Sequence, residues 1–108
     1  MSNFFDTICA IATPIAKGGV GIIRVSGETS KDVVKNFFNK EIIPNKINHG
    51  WIVHNNKKID EVIVLYFVSP RSFTGEDVVE IQTHGSPVIL KEILNLLLTN
   101  GARLATKG

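Results

Sequence analysis

Asp77-Val78-Val79-Glu80-Ile81-Gln82-Thr83, then His84-Gly85-Ser86-Pro87, then Val88-Ile89-Leu90-Lys91-Glu92-Ile93-Leu94-Asn95-Leu96-Leu97-Leu98-Thr99-Asn100-Gly101, spells a strand, a turn and a helix in that order. The first run is short and rich in β-branched residues, and Gly85 follows it as a breaker. Ser86 before Pro87 reads as an N-cap with proline at the first helical position, where its missing N–H matters least. Ile89, Leu90, Ile93, Leu94, Leu97 and Leu98 recur at helical spacing as one apolar side. Asn100-Gly101 closes the helix as a C-cap, so the spacing predicts a helix over Val88 to Asn100.

Outward from this unit the pattern alternates. Glu61 to Val68 holds the nearly continuous run Val62-Ile63-Val64-Leu65-Tyr66-Phe67-Val68. Its length and branching predict a central strand covered on both faces, broken by Ser69-Pro70-Arg71-Ser72. Trp51 to His54 is a weaker strand, followed by the polar turn Asn55-Asn56-Lys57-Lys58. Ser30 to Phe38 reads as a helix with Ser30 as N-cap and Val33, Val34, Phe37 and Phe38 as its stripe; Pro44 falls in the loop after it. Val20 to Val25 is a strand closed by Ser26-Gly27. Thr7 to Thr13 is another, ended by Pro14, and Lys17-Gly18-Gly19 is a tight loop between them. Ala102-Arg103-Leu104-Ala105 reads as the start of a further element, so the chain looks cut from something longer. The fold class expected is α+β, a mixed β-sheet with two main helices packed on it.

Composition narrows the function classes. With 108 residues, 44% hydrophobic and 20% charged, the chain reads as one domain with its own core. No apolar run reaches the roughly 18–20 residues of a membrane span. Met1 to Asp6 lacks the basic start of a signal peptide. The one cysteine, Cys9, excludes an internal disulfide and fits a reducing, cytoplasmic setting. A net charge of +2 is too weak to imply nucleic-acid binding by itself. Phe73 to Gln82 contains Glu76, Asp77 and Glu80 and no base, which suggests a small site or a solvated loop.

Several chemistries lack their residues. Lys17-Gly18-Gly19-Val20-Gly21 could cradle a phosphate or simply let the backbone turn. No G-x-x-x-x-G-K-[ST] occurs, and a strand follows the loop where a dinucleotide fingerprint needs a helix. His49, His54 and His84 have no ligand spacing, so no metal site is expected. No serine sits in a nucleophile motif. Two charged residues remain inside apolar strands. Alternation puts Val79 and Ile81 on one face of their strand and Val78, Glu80 and Gln82 on the other. Arg24 is the only charge in Gly21-Ile22-Ile23-Arg24-Val25. A guanidinium binds carboxylates bidentately and a carboxylate accepts paired N–H groups, so Arg24 and Glu80 suit a ligand with a donor-rich head and an anionic tail. They could equally pair with each other.

Asp6-Thr7-Ile8, Ala12-Thr13-Pro14, Gly18-Gly19-Val20-Gly21-Ile22-Ile23-Arg24-Val25-Ser26-Gly27, Ser72-Phe73-Thr74-Gly75-Glu76-Asp77-Val78-Val79-Glu80-Ile81 and His84-Gly85 follow one another along essentially the whole chain. In this order the sequence resembles the N-terminal domain of the MnmE (TrmE) family of tRNA-modification GTPases. The resemblance implies a single domain over 1–108, similar to the folate domain of the glycine-cleavage aminomethyltransferase. It would bind a reduced folate such as 5-formyltetrahydrofolate and form a homodimer. The family's folate-binding arginine and glutamate fall on Arg24 and Glu80. The helical and GTPase domains would lie outside this chain, and with them GTP, Mg2+ and K+. The parent would be a GTP hydrolase that modifies the wobble uridine of tRNA at carbon 5 with the flavoprotein MnmG. No catalytic residue is implied in this fragment, and no membrane. The loop carries Ile15, Ala16 and Lys17 where the family is usually richer in Pro, Gly and Arg, and Ser86 replaces a usual second glycine. A purely structural dimerisation module is the alternative. A tRNA-contacting face would have to assemble from Lys31, Lys35, Lys40 and Lys46.

Overall fold

The computed structural model describes residues 6–12, 20–69 and 75–105. The elements are β1 (Ile8–Ile11), β2 (Gly21–Ser26), α1 (Ser30–Lys35), β3 (Asn48–His54), β4 (Lys57–Phe67), β5 (Val78–Thr83), α2 (Pro87–Thr99) and β6 (Arg103–Leu104). The strands form one sheet in the order β3-β4-β5-β2-β1-β6. All neighbours are antiparallel except β1 and β6, which run parallel. The expected α+β class is what the chain adopts.

Strand alternation builds the core on one side of this sheet. Cys9, Ile23, Val25, Val64, Val79 and Ile81 share a face, and Val33, Val34, Leu90, Ile93 and Leu97 of the helices pack into the same cluster. α1 lies against β5, and α2 against β1, β2 and β6. Burying each of the fully enclosed Ile and Leu side chains is worth roughly 1.5–3 kcal/mol. Two glycines make the packing possible. A Cβ on Gly21 would stand 2.8 Å from Leu90 Cδ2 and 2.9 Å from the Gly85 Cα, so its bare Cα lets α2 and the turn before it close on β2. Gly27 has φ +142°, and a Cβ there would meet Thr7 Oγ1 at 2.6 Å.

Several expectations shift. The run from Glu61 to Phe67 belongs to a longer strand that sits second from the sheet edge, not at its centre, and Val68 falls outside it. Ile63, Leu65 and Phe67 are only half-buried because their face carries no helix. The central strands are β5 and β2, and β5 is buried on both faces apart from Gln82. Lys57 and Lys58 join β4, because Asn55 (φ 51°) and Asn56 (φ 62°) suffice as a two-residue hairpin turn. β3 begins at Asn48 rather than Trp51. α1 stops at Lys35, and Phe38 leaves it to bridge Ile52. Thr29, not Ser30, is its N-cap; Ser30 is buried and its hydroxyl donates to the Asp77 carbonyl at 3.4 Å. Ser86 is the N-cap of α2 as expected, without a side-chain capping bond. Within α2, Leu96 takes a core place and Leu98 is 38% exposed. The expected element after Gly101 is β6. Thr13, Pro14, the Lys17–Gly19 loop, Pro70–Ser72, Phe73 and Thr74 lie outside the described residues.

β6 is tied down twice. The Arg103 N–H donates to the Thr7 carbonyl at 2.8 Å, and the Arg103 Nε donates to both Asp6 carboxylate oxygens at 3.2 and 3.0 Å. Hydrogen bonding by Arg103, helped by its charge, holds the Asp6 carboxyl below the usual carboxylate range. A depressed folded pKa adds stability above the unfolded value and loses it as pH falls through the folded one. Denaturation followed from about pH 5 down to about pH 3 should therefore show a shallower loss for Asp6→Asn than for the parent; equal slopes would remove Asp6 from the acid response. Gly27→Ala should cost about 2–4 kcal/mol, from strain plus overpacking. Gly101→Ala, also at positive φ but with open space around it, should cost only about 1 kcal/mol. Urea melts of the two variants would test that order.

Candidate functional site

The β2–β5 ladder makes Arg24 and Glu80 direct cross-strand partners. Ala10 on β1 and Leu65 on β4 extend the same row. Val79 and Ile81 point to the helices, so Glu80 and Arg24 stand on the opposite face, as the alternation predicts. There Arg24 Nη2 donates to Glu80 Oε2 at 3.1 Å, and Gln82 Nε2 donates to Glu80 Oε1 at 3.3 Å. The Glu80 side chain is 10% exposed and that of Arg24 39%. A carboxylate so enclosed must have donors at its oxygens or it would not stay charged. Both oxygens have one. Of the two arrangements open from sequence, Arg24 and Glu80 are thus seen closed on each other.

Arg24 also forms part of the wall of a cavity of about 330 Å³ between β1 and the end of β2, shared with Cys9, Ala10, Ala12, Ser26 and Glu76. Glu80 is not among its lining residues. Burial pushes the Cys9 thiol up, away from a reactive thiolate, and leaves it a small apolar wall. The acidic stretch is split: Glu76 is exposed and Asp77 half-buried ahead of β5, while Glu80 is buried within it. Glu76 Oε1 accepts from the Ser26 hydroxyl at 2.8 Å. Asp77 accepts from the Ser69 N–H at 2.9 Å and from the Tyr66 hydroxyl at 3.5 Å. Burial, and then the Asp77 charge, raise the Tyr66 pKa.

Gly21 serves packing, and its carbonyl accepts from the Thr83 hydroxyl at 3.2 Å. The rest of the glycine loop lies outside the described residues. Each histidine has its own partner, and His49 and His84 line one cleft while His54 is not part of its lining. His49 pairs with Glu61 at 2.7 Å, His84 with Asp60 at 2.6 Å, and His54 contacts Asn55 at 3.2 Å. No group of three or more His, Cys, Asp or Glu side chains is arranged to hold a metal among the described residues. Glu76 belongs to the acidic cluster noted in the sequence; its pairing with Ser26 and the two histidine–carboxylate pairs were not expected from sequence. Their partners lie far apart in the chain, on strands or immediately flanking β5, and the sheet register brings them together.

The sheet thus carries a half-buried Arg24 paired with a buried Glu80, a cavity beside them and glycine-dependent packing of α2. The family model described as "GTP-binding protein TrmE N-terminus" matches residues 7–108. The chain belongs to this family. It is 47% identical over 105 residues to the tRNA modification GTPase MnmE of Thermotoga petrophila, an alignment covering 95% of this chain and 23% of that protein. It is 46% identical over 112 residues to MnmE of Streptococcus mutans, covering 100% of this chain and 25% of that one. MnmE of Francisella tularensis is 46% identical over 103 residues, covering 95% and 23%. The chain thus spans about a quarter of the length of these MnmE relatives. Among the described residues, no helix is long and apolar enough to cross a membrane.

The Arg24–Glu80 pair can be weighed by a double-mutant cycle. Arg24→Met and Glu80→Gln should each lower stability, and their coupling should be about 1 kcal/mol, restrained by the exposure of Arg24. Urea denaturation of the four proteins gives the number. Purely additive effects would mean that the pair does not hold β2 to β5.

Proposed function

We propose that this chain is the reduced-folate-binding and homodimerising domain, over 1–108, of a tRNA-modification GTPase that modifies the wobble uridine at carbon 5. Membership of the TrmE family supports the tRNA-modification setting. One observation carries the ligand reading: an arginine and a glutamate, paired across the two central strands on the face away from the helices, with the arginine beside a cavity of about 330 Å³.

The residues fit a folate by chemistry. Glu80 offers carboxylate lone pairs to the amino and ring N–H groups of a pterin head, which are paired donors. Arg24 offers a guanidinium to an anionic tail, and its 39% exposure lets it turn from Glu80 without unpacking the core. Gln82, which donates to Glu80 Oε1, keeps the carboxylate oriented when Arg24 moves. The folate, when bound, supplies the one-carbon unit, as cofactors supply chemistry that side chains lack. No described residue here acts as acid–base catalyst in that reading. GTP hydrolysis, with Mg2+ and K+, belongs to a separate domain of the parent protein. MnmG and tRNA join through that full-length protein, in the cytoplasm. The fold is then of the folate-binding kind shared with the aminomethyltransferase.

A second reading is favoured by a specific observation. Arg24 and Glu80 satisfy each other, which is what a purely structural dimerisation module would need. Calorimetric titration of 5-formyltetrahydrofolate into this chain and into Glu80→Gln separates the two. Binding by the parent and a loss of at least roughly tenfold in the variant is the expected result. Equal binding would remove Glu80 from the site. No binding by either, with a dimer in light scattering, would leave the structural reading.

A further inference from the structure

β5 carries Gln82 two residues beyond Glu80 on the same face, and the ladder aligns Gln82 with Ile63 on β4, and Ile63 with His49 on β3. Past that row lies a second cleft, of about 240 Å³, with Val20, His49, Glu61, Ile63, Gln82 and His84 on its walls. Two imidazole–carboxylate pairs flank it. His49 Nε2 and Glu61 Oε2 meet at 2.7 Å with both side chains well exposed. The other pair is built differently. Asp60 is 10% exposed and grips one residue with both oxygens. Its Oδ1 meets His84 Nδ1 at 2.6 Å, and its Oδ2 accepts the His84 backbone N–H at 3.1 Å. In a neutral imidazole, a carboxylate held against Nδ1 keeps the proton there and leaves the lone pair on Nε2. In that form the ring, 66% exposed, presents an acceptor.

Among the other polar groups of the cleft, His49 Nε2 donates to Glu61 Oε2, which leaves Glu61 Oε1 as an acceptor. The Gln82 amide N–H is engaged by Glu80, which leaves its carbonyl oxygen as an acceptor. Among the described residues no Lys or Arg lines the cleft, and Glu61 places a carboxylate there. Val20, 58% exposed, and Ile63 supply apolar wall. Such a site fits a planar cation with several N–H donors. A guanidinium spreads its donors toward separate acceptors and sheds water more easily than an ammonium, and its stem can lie on apolar wall.

We propose that this cleft binds a guanidinium or amidinium head, with Glu61 as its counter-charge and the Nε2 of His84, oriented by Asp60, as a second acceptor. The proposal does not depend on the folate reading, although Gln82 borders both sites. Asp60 is a positioning residue in it.

The test is imidazole-nitrogen NMR of the 15N-labelled chain at about pH 8, above the ordinary imidazole range. The free protein should show His84 as the Nδ1–H tautomer, and Asp60→Asn should lose that bias. Nα-acetylarginine methylamide should shift His84 Nε2 and the Glu61 and Gln82 amides saturably, with millimolar affinity. Glu61→Gln, at an exposed position, should weaken this roughly tenfold, the scale of a lost charge-assisted hydrogen bond. Nα-acetylnorleucine methylamide, with the stem but not the head, should shift nothing. The proposal is overturned by an Nε2–H tautomer, by the absence of saturable shifts, by equal shifts from the norleucine compound, or by full affinity in Glu61→Gln.

Discussion

Both helices contribute their apolar sides to one cluster on one face of a six-stranded sheet, and most else in the molecule follows from that one-sidedness. The strands under the helices can be wholly apolar on the covered side. The opposite side has to be satisfied by what the strands themselves carry. At the two central strands that solution is a charge pair, Arg24 and Glu80, set across the ladder from one another. A carboxylate 10% exposed in this position is tolerable only with donors at its oxygens. The same donors can be redirected to a ligand, and this makes one row of the sheet both a structural and a chemical element.

Where local pattern dominates, the sequence is easy to read. The turn from Ser86-Pro87 into α2, the stop at Asn100-Gly101 and the orientation of Glu80 away from Val79 and Ile81 all rest on spacing within a few residues. Placement within the sheet is not local. Val62 to Val68 carries the most continuous apolar run, yet β4 is second from the edge. Its outward residues are apolar because that face is half-buried, not because a second layer covers it. β5 looks less hydrophobic for the very reason that it holds Glu80 and Gln82, although it is the more buried strand. Apolar content along a strand reports how wet its two faces are, and that differs from rank in the sheet.

The site shows the same division. Arg24 and Glu80 stand out in sequence because each interrupts an apolar strand, and the fold pairs them. Asp60 with His84, Glu61 with His49 and Glu76 with Ser26 do not stand out, since their chain separations carry no motif. They arise from register: once Ile63 aligns with Gln82 and with His49, the neighbouring side chains are forced into reach. Gly21 illustrates the reverse case. A glycine in a glycine-rich stretch invites a phosphate-binding reading, while its Cα here serves the close approach of Leu90 and Gly85.

The parallel pairing of β1 with β6 joins Ile8 to Arg103 and Cys9 to Leu104. During synthesis, β1 leaves the ribosome first among the strands and must wait for nearly the whole chain before this neighbour exists. The β3–β4 hairpin, closed by Asn55-Asn56, can form as soon as it emerges, while β2 waits for β5. Until Arg103 and Leu104 arrive, the N-terminal strand has an unpaired edge, the kind of backbone that chaperones hold and that other nascent chains can capture. The short β6, with Arg103 clasping Asp6 beside it, is thus the latch on this edge of β1, and a chain halted before Arg103 would leave that edge open.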